Sequence, residues 1–265
     1  MVVMIMAIML AVAVPIVRPP VEARTVREAA RMVNTALASA RTRAIQTGRP
    51  VGVMFEPSDA AGNNCATLHY VQVAAPWSGP GTVTGNVFAG LGSYASGGGV
   101  LKLNYQGPTY DVTSGNYLAV PVPGLNDGNY DFQFYPPPKK SSLFPLQLPT
   151  RAVVDIGASG IGDSHQFPAS GTPPKIPVTM VTFAPTGAVD DFYSGGISTG
   201  LADSLYLLVG KPGKTDYTAS DKEENNLLDG DNIWIKLDYR TGAVSSAENK
   251  PSANVEDARD FIIDG

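Results

Sequence analysis

The chain has 265 residues, 43% of them apolar and 16% charged, which excludes a disordered or polyelectrolyte chain and leaves length for one large domain or two small ones with a buried core. A single cysteine, Cys65, excludes an internal disulfide, and with only His69 and His165 beside it no Cys/His zinc site can be assembled. The net charge of −5 is unevenly spread: residues 18–49 hold seven arginines against Glu22 and Glu28, so residues 50–265 carry −10, a poor surface for a phosphate backbone.

The first seventeen residues, Met1 to Val17, contain no polar side chain, at the lower edge of the roughly 17–25 that span a bilayer. Two readings compete, a retained membrane anchor and a cleaved signal peptide. The absence of a basic flank before the run, and of a small-residue cleavage pattern before Ala38-Ser39-Ala40, favours the anchor. Ile5, Ile8, Val12 and Ile16 recur at spacings of 3, 4 and 4, so they line one stripe of that helix. The arginines that follow belong on the cytoplasmic side by the positive-inside rule, a conflict that a leader segment upstream of Met1 would remove.

A second, basic helix is expected within residues 18–49. Thr25 and Glu28 fit a capping box at its start, and Gly48 with Pro50 ends it at 47. Val26, Ala30, Val33, Leu37, Ala40 and Ala44 form its apolar face, either laid on the protein's own sheet or packed against identical neighbours. Pro15 and the pair Pro19-Pro20 are expected to kink or break the path between anchor and helix.

Beyond Pro50 the period changes to two. Short β-rich runs are expected at Val51–Phe55, Ala66–Val73, Val100–Tyr105, Tyr117–Val122, Tyr130–Tyr135, Ala152–Ile156, Val178–Phe183, Leu205–Val209 and Ile233–Tyr239, separated by Gly, Pro, Asn and Asp clusters. This pattern predicts one antiparallel body over 50–265, with a short acidic helix near Val255–Ile262. The fold class expected is therefore α+β, an anchor helix continuing with a proline kink into an amphipathic helix on an antiparallel sheet.

The apolar run ending at a proline, the segment Ala40-Arg-Thr-Arg-Ala-Ile-Gln-Thr-Gly-Arg-Pro-Val51 and the strand Gly52-Val-Met-Phe-Glu56 resemble type IV pilin-like proteins, in particular the H-type minor pseudopilins of type II secretion. Two later stretches are similar to the same family: Val181-Thr-Phe-Ala-Pro-Thr-Gly187 to its strand and Pro-x-Gly turn, and Ile233–Ser245 to its closing hairpin, with Thr241-Gly242 at the tip. Residues 56–175 exceed what the family usually carries, and its leader motif, a basic segment ending in Gly before Phe-Thr-Leu-x-Glu, is expected upstream of Met1. The resemblance implies a non-enzymatic structural subunit of the bacterial inner membrane, with a periplasmic domain. Its partners would be other pilin or pseudopilin subunits, the assembly machinery and membrane lipid, with no nucleic acid and no cofactor. A membrane-tethered binding or adhesive β domain that never polymerises is the second reading, and an enzyme the third.

Candidate chemical sites are weak. Gly157-Ala-Ser-Gly-Ile-Gly162 lacks the Lys-Ser/Thr and helix of a P-loop and reads as a turn. Asp163-Ser164-His165 places acid, nucleophile and base side by side, where adjacent residues do not face one another. Asp229-Gly-Asp231-Asn232 offers oxygen ligands without the spacing of a calcium loop and reads as a turn into the strand at Ile233. Asp221-Lys222-Glu223-Glu224 reads as a solvated loop, His69 as an ordinary strand residue, and Trp77 and Trp234 as packing. Neither a catalytic residue nor a metal ligand is expected.

Overall fold

The computed structural model describes the backbone over residues 2–59, 62–73, 77–84, 100–104, 109–111, 118–122, 130–135, 138–163, 167, 179–194, 197–199, 201–215 and 225–263, and side chains within these outside 2–21, 77–135 and 194–199. The chain is α+β with antiparallel strand pairing. Helix α1 (Val2–Thr47) runs unbroken through Pro15, Pro19 and Pro20, so the expected break is corrected. Having no N–H, these prolines leave the carbonyls of Ala11, Pro15 and Ile16 without their helical donors. The capping box is corrected with it: Thr25 and Glu28 lie inside the helix, where no orphan amides need capping. Gly48, at φ +62°, closes the helix where expected.

The expected single body over 50–265 divides into two units. The first comprises residues 1–70 and 142–265, the second 71–141. In the first lie β1 (Val51–Pro57), β2 (Asn64–Gln72), β9 (Leu146–Gln147), β10 (Val153–Ile161), β11 (Thr179–Phe183), β12 (Val189–Ser194), β13 (Ile197–Thr199), β14 (Leu205–Gly210), β15 (Ile233–Leu237) and β16 (Val244–Glu248). Their sheet runs β13-β12-β11-β1-β2-β10-β14-β15-β16, with β9 also on β2. The segment Val255–Ile262 forms two short helices, α2 (Val255–Ala258) and α3 (Asp260–Ile263).

Alternation along the central strands builds a core on each face of this sheet. Leu205, Leu207 and Val209 of β14, with Ile233, Ile235 and Leu237 of β15, join Val26, Val33, Leu37, Ala40 and Ala44 of α1 in one cluster. Tyr206, Leu208 and Trp234 point the other way, onto Val255, Ala258 and Ile262. Ala29, Ala30, Ala36, Ala40 and Ala44 are buried along α1, and their small side chains let the helix lie close to β1, β11, β14, β15 and β16. Val33 and Leu37 are fully buried there, worth about 1.5–3 kcal/mol each.

The second unit has its own sheet, order β5-β4-β3-β7-β6, from β3 (Trp77–Thr84), β4 (Val100–Asn104), β5 (Thr109–Asp111), β6 (Leu118–Val122) and β7 (Tyr130–Tyr135). The chain enters and leaves it across one antiparallel ladder, in which Val71 faces Lys140 and Gln72 faces Lys139 of β8 (Lys139–Lys140).

Candidate functional site

The sheet-facing stripe of α1 leads to a corner built from three distant stretches. Arg41 Nε donates to the Gly187 carbonyl at 3.0 Å, across the Ala184–Gly187 turn. The β15–β16 hairpin turns at Gly242 with φ +64°, and a Cβ there would lie 2.0 Å from the same Gly187 oxygen. Only glycine satisfies both the backbone angle and the approach. Asp238 fixes the hairpin by accepting from the Thr241 amide at 2.8 Å and its hydroxyl at 2.7 Å, which holds the Asp238 carboxyl below its usual range. The Val189 amide donates to the Tyr239 carbonyl at 3.1 Å, tying hairpin and turn together.

Toward its start α1 is held by charge. Lys211 Nζ lies 3.3 Å from Glu22 and 2.9 Å from Asp229, with Lys214 at 3.5 Å from Asp229. Burial is the largest single influence and opposes the charge on both Lys211 and Asp229, but their mutual hydrogen bond, the Glu22 and Lys214 charges and the Asp231 amide together outweigh it, so the lysine is raised and the aspartate lowered. The Asp231 amide donates to Asp229 Oδ1 at 3.1 Å and the Asn232 amide to the Asp229 carbonyl at 3.2 Å, the turn expected at 229–232. Asp229 is thereby paired with two lysines.

Beneath this turn lies a buried polar network. Asn226 Nδ2 donates to Asp155 Oδ2 at 2.7 Å, Asn232 Nδ2 to the Asn226 carbonyl at 2.7 Å, Asn249 Nδ2 to the Leu227 carbonyl at 2.7 Å, and Trp234 Nε1 to Asn249 Oδ1 at 2.8 Å. Gly157–Ile161 is not the turn expected but the second half of β10, with Gly162 just beyond it, and the register against β14 shifts between Asp155 and Gly160. The extra residues fold onto Asp155: Ser159 Oγ donates to the Asp155 carbonyl at 2.5 Å, and the Ala158 amide to Asp155 Oδ1 at 3.1 Å. Arg259, fully buried, closes the bulge by donating to the carbonyls of Gly162 (2.6 Å), Asp163 (3.0 Å) and Ala158 (3.2 Å). Its guanidinium carbon stands 4.9 Å from the Tyr206 ring and 4.8 Å from Trp234. Burial lowers its pKa to about 10, which leaves it charged at neutral pH. Sequence reading passed over Arg259, because its partners are main-chain oxygens that no side-chain pattern announces.

The remaining candidates fall as follows. Ile5, Ile8, Val12, Pro15 and Ile16 are on the α1 backbone, and their side chains lie outside the described residues, as do Ser164, His165, residues 221–224 and the Trp77 side chain. Asp163 accepts from the Tyr206 hydroxyl at 2.8 Å. His69 Nε2 lies 2.5 Å from Glu56 Oε2, and Cys65 is buried with its thiol donating to the Thr67 carbonyl. Among the described residues no His, Cys, Asp or Glu side chains gather to hold a metal, and no helix is long and apolar enough to cross a membrane. No family model, curated protein or solved structure matches the chain.

Proposed function

We propose that this chain is a structural subunit of a type II secretion pseudopilus or a related type IV pilus-like assembly, closest in role to the H-type minor pseudopilins. In this reading the apolar part of α1 anchors it in the bacterial inner membrane and later packs against neighbouring helices, while the sheet units stand in the periplasm. It makes and breaks no bond, and a partner motor supplies the energy for assembly.

One observation carries the reading: the three stretches that resemble the family, around Arg41, Pro185-Thr186-Gly187 and Thr241-Gly242, are distant in sequence yet packed into one corner at Gly187. Such convergence is expected if they belong to one inherited core, with residues 71–141 as an addition to it. The unbroken α1, apolar at its start and stripe-faced where it meets the sheet, gives this core a built-in handle.

Cysteine cross-linking separates this reading from a tethered binding domain, which needs only bulk hydrophobicity. With Cys65 replaced by Ser, single cysteines along residues 5–16 should cross-link between subunits with helical periodicity around Ile5, Ile8, Val12 and Ile16 when the assembly machinery is present. Deleting the machinery should abolish the cross-links and leave the protein in the membrane. Cross-links that are absent, or indifferent to the machinery, assign the chain to the tethered domain instead.

A further inference from the structure

The sheet ends at β16, and among the described residues no strand pairs with its outer edge. The Asp238 amide donates to the Ala243 carbonyl at 2.9 Å and the Asn249 amide to the Asn232 carbonyl at 2.9 Å, which places the ladder bonds to β15 at odd-numbered residues of β16. The N–H and C=O groups of Val244, Ser246 and Glu248 therefore point away from β15. Edge strands are commonly guarded by lysine, proline or a bulge. The β16 sequence Val-Ser-Ser-Ala-Glu has no lysine, proline or bulge, its one charge, Glu248, lies at the end of the strand, and its register against β15 is continuous.

Beside this edge a groove of about 230 Å³ is lined by Arg27, Arg31 and Asn34 of α1 and by Ser246 and Glu248 of β16, over Ala30 and Ile233. Arg27 reaches Glu248 at 3.2 Å, but both side chains are more than half exposed, so a competitor displaces that pair easily. Arg31 is exposed and makes no ion pair among the described residues. Asn34 Nδ2 donates to Ser246 Oγ at 3.3 Å, while its Oδ1 is enclosed without a hydrogen-bond donor. The pairs Arg27–Glu248 and Asn34–Ser246 show helix and strand running alongside in opposite directions.

We infer that the β16 edge, with Arg27 and Arg31 of α1 beside it, takes an extended acidic segment of a partner protein as an added strand. Main-chain pairing to Val244, Ser246 and Glu248 supplies the attachment, and the two guanidiniums select its charge. Four residues of helix advance about 6 Å, close to the roughly 6.6–6.8 Å between alternate side chains of a strand, so acidic residues at every second position meet Arg27 and Arg31 in turn. The occupant is acidic because two arginines face one glutamate in the groove. This inference stands whether or not the chain polymerises.

The test uses the full chain in mild detergent and a labelled heptapeptide, Thr-Glu-Val-Glu-Val-Glu-Thr, with two controls: Lys in place of Glu, and N-methylation at alternate amides. The acidic peptide should bind and slow amide exchange at Ser246 and Glu248, the Lys peptide should bind at least about tenfold more weakly, and N-methylation on the pairing edge should abolish binding. Arg31→Glu should weaken the acidic peptide by about tenfold or more and favour the Lys peptide. Ser246→Pro should block binding, since that amide has no partner among the described residues; Arg31→Glu, on the exposed helix face, serves if the proline disturbs the sheet. Indifference to peptide charge, or protection elsewhere than Ser246 and Glu248, overturns the inference. So does a concentration-dependent dimer lost in Ser246→Pro, which would give the edge to a second copy.

Discussion

At Arg259 one side chain serves three main-chain carbonyls, Ala158 within β10 and Gly162 and Asp163 just beyond it. Arg259→Lys keeps the charge but loses the planar fork and the stack on Tyr206 and Trp234. Urea unfolding should show a loss of about 1.5–3 kcal/mol, with a matching change in Trp234 fluorescence. Cys65 gives a second test. Burial pushes its thiol from an ordinary 9.0 up to about 12, so the folded protein keeps a proton that the unfolded chain releases above about pH 9. Stability should therefore fall between about pH 9 and 12, by at most about 1.4 kcal/mol per pH unit from this group. Cys65→Ala should remove that part of the slope. At pH 8 a disulfide reagent should modify Cys65 only after global unfolding. Residues of this kind were hardly legible in the sequence: Val33 and Leu37 announce their burial by spacing, whereas Arg259 and Asn226 act on main-chain atoms brought close only by folding.

Among elements, α1 was legible where its stripe repeats and where Gly48 ends it, and misjudged where local signals suggested a new start. Thr25 and Glu28 match a capping box in composition, but an N-cap residue must itself be non-helical, and Thr25 lies inside a helix that begins at Val2. Strands dense in large apolar, aromatic or β-branched residues, such as β1, β11, β14 and β15, were legible. β3, with Gly79, Pro80 and Gly81, was not, and β16, with two serines and an alanine, was expected only through the family resemblance of the hairpin over Ile233–Ser245, because pairing partners rather than propensities make these strands. The helix–sheet contact is testable. Leu37→Ala leaves a void beneath α1 and should destabilise the first unit by about 2–5 kcal/mol in denaturant titration. Gly242→Ala should be harmful out of proportion to its single methyl, since it strains the turn and drives Gly187 away from Arg41; the check is a lowered melting temperature that Arg41→Ala does not reproduce in full.

For the whole molecule, the antiparallel class was legible and the division into two units was not, because no linker interrupts β2 or the return through β8 and β9. The ladder Val71–Lys140 and Gln72–Lys139 brings entry and exit of residues 71–141 side by side. Replacing residues 73–138 by Asn-Gly should therefore close a two-residue hairpin and leave the first unit folded, with its circular dichroism and Cys65 protection intact. Loss of cooperative unfolding in that variant would show that the first unit depends on the inserted one.

The position of β1 has a mechanical consequence. Helix α1 passes through Gly48 directly into β1, which lies inside the sheet between β11 and β2 rather than at an edge. A pull along α1 is thus delivered lengthwise to a strand bonded on both sides, where the ladders are sheared together and their bonds share the load. An edge strand would peel one rung at a time. Force spectroscopy from that end should meet high resistance until the β1–β11 ladder, Val51–Phe183 through Phe55–Thr179, gives way as a unit.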